Sequence, residues 1–119
     1  MHFMTTNIVN LTKHEVVIEV NDNTIVIKPH GTVCRVVEET KTVSSIDGIP
    51  VRVSRPVAVE GLPPQKEGVV YFCSGMAAAA AWSLGRTDVF CPSTDEEDII
   101  RNERGLTVAI KALKGKPKS

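Results

Sequence analysis

The chain alternates short apolar segments with polar breaks, and most of the segments repeat with a period of two, the spacing of strands. Asn7-Ile-Val-Asn-Leu-Thr12 reads as a first short strand. Glu15-Val-Val-Ile-Glu-Val20 reads as a second, with Val16, Ile18 and Val20 on one face. Asn21-Asp22-Asn23 is turn chemistry and Thr24-Ile-Val-Ile-Lys28 returns, so this pair predicts a hairpin. Pro29-His30-Gly31 interrupts the pattern, residues 32–37 resume it, and residues 40–46 predict a weaker strand. Asp47-Gly48 predicts a tight turn into a strand at residues 49–55, where Pro50 and Pro56 mark an edge or strand boundaries.

The second half changes character. Residues 61–68 form a Pro-rich, charged loop, and Gly68-Val-Val-Tyr-Phe-Cys73 is a continuous apolar run suited to a buried strand. Residues 76–84, dominated by Ala77 to Ala81, predict a compact helix that Gly85-Arg86-Thr87 ends. Asp88-Val-Phe-Cys-Pro92 then predicts another strand, making a small βαβ unit with Val69, Val70 and Tyr71 on a central strand under the helix. Ser93-Thr94-Asp95 opens an acidic stretch suited to one helical turn. Residues 99–101 and 106–113 predict a terminal hairpin, with Val108, Ile110 and Ala112 on one face. Residues 114–119 lack an apolar anchor and predict a frayed tail. The fold expected is one α+β domain over residues 1–119. It is a mainly antiparallel sheet or partly closed barrel, with one short Ala-rich helix in a βαβ-like unit.

Composition narrows this further. A length of 119 residues gives room for one core, and aromatics at 4% leave Val and Ile to fill it, which favours sheet over bundle. With 14 basic and 14 acidic side chains, a globally basic nucleic-acid-binding surface is not supported. The three cysteines, Cys34, Cys73 and Cys91, are odd in number and widely spaced, which points to a reducing, cytoplasmic setting rather than a disulfide scaffold. Met1-His-Phe-Met4 leads into polar residues without a signal-peptide core, and no apolar run approaches the roughly 20 residues of a membrane span.

Candidate chemistry is sparse. Cys73-Ser74-Gly75 stands at a strand-to-helix turn, where a thiol or hydroxyl meets the positive helix end and free backbone N–H groups. The structural alternative makes Cys73 core and Ser74 a helix cap bonded near Ala77. A nucleophile there needs a base. His14 and His30 lack a recognisable spacing and Gly-x-Ser-x-Gly is absent, so no catalytic residue is assigned. His14, His30 and Cys34 lack the close pairing of zinc ligands, so no metal is expected, and the absence of a phosphate-binding fingerprint leaves no cofactor. Trp82 near the helix end is either a core plug or an interaction anchor. Lys111, Lys114 and Lys116 form a weak phosphate-binding footprint.

Several segments, in order, resemble a family of small proteins of phages, prophages and archaeal viruses. They are Asn10-Leu11-Thr12-Lys13-His14, Pro29-His-Gly-Thr-Val-Cys-Arg-Val36, Gly48-Ile-Pro-Val51, Gly61-Leu-Pro63, Gly68-Val-Val-Tyr71 running into Ser74, Arg86-x-Asp88 before Pro92, and Arg101-Asn-Glu-Arg-Gly105. Lys13 replaces the family's proline. The resemblance implies a viral or prophage accessory protein and adds no catalytic residue. The expected function is non-enzymatic binding of a host or viral protein, with homodimerisation through a strand edge or the helix face. The rival expectations are nucleic-acid binding through the lysines and a small hydrolase with Cys73 or Ser74 as nucleophile.

Overall fold

The computed structural model describes residues 7–118; Ser119 and residues 1–6, which include the stretch read for a signal peptide, lie outside the described residues. The strands are β1 (Asn7–Asn10), β2 (Val16–Val20), β3 (Asn23–Ile27), β4 (Arg35–Ile46), β5 (Ile49–Glu60), β6 (Val69–Phe72), β7 (Val89–Pro92), β8 (Ile99–Arg101), β9 (Thr107–Ile110) and β10 (Leu113–Lys114). One helix, α1 (Gly75–Ser83), joins β6 to β7, and a single 3₁₀ turn spans Glu96–Asp98.

The βαβ unit forms as the sequence predicts. β6 lies between β1 and β7 and is parallel to both, while β10 completes this first sheet antiparallel to β7. Ser74 caps α1: its hydroxyl accepts a hydrogen bond from the Ala77 amide at 3.3 Å. Gly85, at φ +95°, ends the helix. Its amide donates to the Trp82 carbonyl and that of Arg86 to the Ala81 carbonyl, the paired bonds of a Schellman cap. Ala77, Ala78, Ala80 and Ala81 are buried, and the small side chains let the helix lie close over the sheet with Tyr71, Cys73, Val89 and Cys91 beneath it.

The opposite face of β6 presents Phe72 to a second core with Val16, Ile18 and Ile110. Those residues come from a second sheet, ordered β3-β2-β9-β8. Its β2–β3 hairpin turns through Asn21 and Asp22, at φ 50° and 64°, the left-handed pair a two-residue turn requires. The terminal hairpin pairs β8 with β9 antiparallel; Ala109 and Ile110 are buried there, whereas Val108 is exposed.

Three findings correct the expectations. The α+β class with one short helix holds, but in place of one sheet or a partly closed barrel the described strands form three separate sheets, with parallel pairs among the antiparallel ones and none of them closed. The reason is connectivity: β1 against β6 and β2 against β9 pair in parallel across long stretches of chain, which a reading of consecutive hairpins does not anticipate. Next, the two strands read at residues 32–37 and 40–46 merge into one 12-residue strand, β4, which begins only at Arg35 and leaves residues 32–34 outside it. It pairs only with the equally long β5 through the Asp47-Gly48 turn. Finally, β10 carries the first sheet to Lys114, and Gly115 lies so near Phe90 that a Cβ there would meet the ring at 2.8 Å. Lys114 therefore belongs to a strand rather than to a frayed tail.

Candidate functional site

The Cys73-Ser74 turn is held in the core. Cys73 is fully buried, and its thiol donates to the Cys34 sulfur at 3.4 Å. That bond lowers the pKa of Cys34; burial opposes the shift and the Arg86 charge assists it. The same bond, with burial, pushes Cys73 well above the usual thiol range. Burial also raises Cys91. Of the three thiols, Cys34 alone has its pKa lowered, although the sequence directs attention to Cys73.

His14, Cys34 and Ser74 share the wall of a hollow of about 250 Å³. The Ser74 hydroxyl is engaged by the helix cap, and among the described residues no hydrogen bond joins the His14 ring to Ser74 or Cys34. His30 is exposed, and its amide donates to the Asn10 carbonyl. At neutral pH, a small alkylating reagent is expected to modify Cys34 before Cys73 and Cys91, read by peptide mass mapping over time. Cys73 modified first would reverse the assignment.

The conspicuous motifs serve architecture. Asn10, 1% exposed, donates through Nδ2 to the His14 and Ile27 carbonyls, and its Oδ1 accepts from the amide and hydroxyl of Thr12. Leu11 beside it is core, and the Leu11 carbonyl accepts from the Cys34 amide. The segment from Asn10 to His14 is therefore a clasp that gathers β1, β3 and the approach to β4. Sequence reasoning missed this; the signal was an Asn two residues before a Thr, the spacing of an Asx turn. Arg86 makes a two-pronged contact with Asp88, Nε to Oδ1 at 2.9 Å and Nη2 to Oδ2 at 2.8 Å. Arg86 Nη2 also donates to the Pro63 carbonyl, and the guanidinium lies 6.0 Å from the centre of the Tyr71 ring. Among the described residues, no fully buried side-chain nitrogen or oxygen lacks a hydrogen-bond partner.

The interaction candidates separate. Trp82 is half-buried against the first core, and its Nε1 donates to the Val89 carbonyl at 2.8 Å, the arrangement of a core plug. Lys114 is drawn to Asp95 at 3.1 Å, while Lys111 and Lys116 are exposed. No helix among the described residues is long and apolar enough to cross a membrane.

The feature the sequence did not single out is the β4–β5 arm. At about 3.4 Å per residue, 12-residue strands reach about 40 Å. The principal extents of 61 × 39 × 31 Å reflect that projection. Val36 and Val59 anchor the base in the first core. Beyond them the arm is mostly solvated: Val43, Ile46, Ile49 and Val53 are 59%, 64%, 65% and 53% exposed. Comparison with family models, with curated proteins and with solved structures finds no match to this chain.

Proposed function

We propose that this chain is a non-enzymatic binding protein that engages a host or viral protein through its projecting arm. The single observation behind the reading is the arm itself. Four large aliphatic side chains stand in water on the outer part of a ribbon that pairs with no third strand among the described residues, and exposed apolar groups on a projecting element are the mark of an interaction surface. A partner that covers Ile46 and Ile49 at the tip removes that apolar area from water, the main source of binding energy in such contacts. The resemblance to small phage, prophage and archaeal-virus proteins supports the further reading of a viral or prophage accessory protein working in the host cytoplasm.

The test is retention from host-cell lysate on immobilised protein, comparing wild type with Ile46→Ser/Ile49→Ser, which keeps the Asp47-Gly48 turn. A partner held by wild type and lost by the tip variant is expected. Wild type retaining no protein, or both proteins retaining the same set, would refute the reading.

A further inference from the structure

We propose that two copies of this chain pair along the outer edge of β4, antiparallel and centred on Thr40, so that two arms form one four-stranded sheet. The inference concerns the β4 edge and holds independently of the reading of the arm's tip.

A two-stranded ribbon has two outer edges. Here one is blunted and the other is open. Ile46 and Ile49 flank the two-residue turn, so they exchange backbone hydrogen bonds within the arm. Bonded and non-bonded pairs then alternate along β5, which places Pro50, Arg52, Ser54 and Pro56 where the backbone points away from β4. Proline has no N–H, so the outer edge of β5 lacks donors at positions 50 and 56. The matching positions of β4 are Glu38, Thr40, Thr42 and Ser45. β4 contains no proline, so each of these keeps an outward donor and acceptor.

Charge selects the occupant and the register. Centred on Thr40, a two-fold pairing sets Glu39 opposite the second copy's Lys41, and Lys41 opposite the second copy's Glu39. Val37 then meets the second copy's Val43. Neighbouring centres fail: position 38 brings Glu38 against itself and Lys41 against Arg35, position 39 brings Glu39 against itself, position 41 brings Lys41 against itself, and position 42 pairs no charges. Opposite charges facing each other across an antiparallel pair are favourable and like charges are not. Glu39 and Lys41 already lie on one face of the arm, 3.4 Å apart. A second copy therefore adds ion pairs without turning either side chain to the other face. Pairing also supplies what a lone ribbon lacks, since an isolated two-stranded hairpin is marginal in water.

Thr40→Cys provides a direct test. Residues in a bonded antiparallel pair have Cα atoms about 5.5 Å apart, inside the span of about 4.4–6.8 Å that a disulfide bridges. Mild oxidation is expected to convert Thr40→Cys to a covalent dimer, whereas Ser54→Cys, exposed on the blunted β5 edge, stays monomeric. Light scattering of wild type at high micromolar concentration should give the dimer mass. Thr40→Pro removes the central outward donor and should give the monomer mass with an unchanged far-ultraviolet spectrum. Lys41→Glu, which faces the second copy's Glu39 with another carboxylate, should weaken dimerisation about tenfold, with recovery in high salt. A monomeric wild type, equal cross-linking of the two cysteine variants, dimerisation of Lys41→Glu at wild-type strength, or a mass that responds instead to Trp82→Ala would each overturn the proposal.

Discussion

Replacing Arg86 by Met is expected to remove about 3–5 kcal/mol of folding stability, the cost of leaving a buried charge without its partner. Asp88 is 6% exposed and both of its oxygens accept from Arg86. The side chain also holds the loop before β6 through the Pro63 carbonyl. A loss of this size is a large part of the total of about 5–15 kcal/mol typical of a domain. Urea denaturation followed by Trp82 fluorescence measures it. The double variant Arg86→Met/Asp88→Leu should regain part of the loss, because no lone charge is then buried. The single variant unfolding at the wild-type midpoint would show that the pair contributes nothing.

Asn10→Ala should cost about 3 kcal/mol, since each buried polar group left without a partner costs about 1–3 kcal/mol. The His14 and Ile27 carbonyls each lose the Asn10 donor, and the Thr12 amide loses its acceptor. The Thr12 hydroxyl, also 3.0 Å from the His14 carbonyl, recovers part of this. Asn10→Asp should be worse than Asn10→Ala, because it keeps the acceptor for Thr12 yet sets a carboxylate against two carbonyl oxygens. The same denaturation experiment ranks the two. A loss below about 0.5 kcal/mol, the size of an ordinary surface change, would mean that the clasp is not structural.

What the sequence revealed was what local pattern encodes. The β2–β3 hairpin was legible because alternation and an Asn-Asp turn agree, and the β6-α1-β7 unit because a continuous apolar run is followed by a good cap and a Gly stop. Pairings across the chain were not legible. No local feature of residues 7–10 says that they lie beside residues 69–72, and the Cys34–Cys73 contact joins positions 39 apart. The arm's Asp47-Gly48 turn was legible, but the length of its strands was misread for a different reason. Its outer two-thirds pack on no core, so burial imposes no alternation on the sequence, and the bulges near Val43 and Val57 shift the phase that remains. The candidate site suffered likewise: Cys73 stood out by its place at the helix start, but only the folded chain reveals that Cys34 lies against it and faces the hollow with His14 and Ser74.

The Ile18–Ile110 pairing that joins β2 to β9 has a consequence for synthesis. The second sheet cannot be completed until Ile110 has left the ribosome, and contacts so distant in sequence are slow to form. The arm is a local hairpin with a strong turn, and such hairpins close within about 1–10 μs. The local hairpins, β2–β3 and the arm, can therefore close before the β2–β9 pairing completes the body. Throughout that interval the nascent protein presents strand edges before its core exists, the circumstance in which mispairing between chains begins. Pro50 and Pro56 act during this window as well as in the finished molecule: they restrict early pairing on the β5 side and leave the β4 edge as the way in.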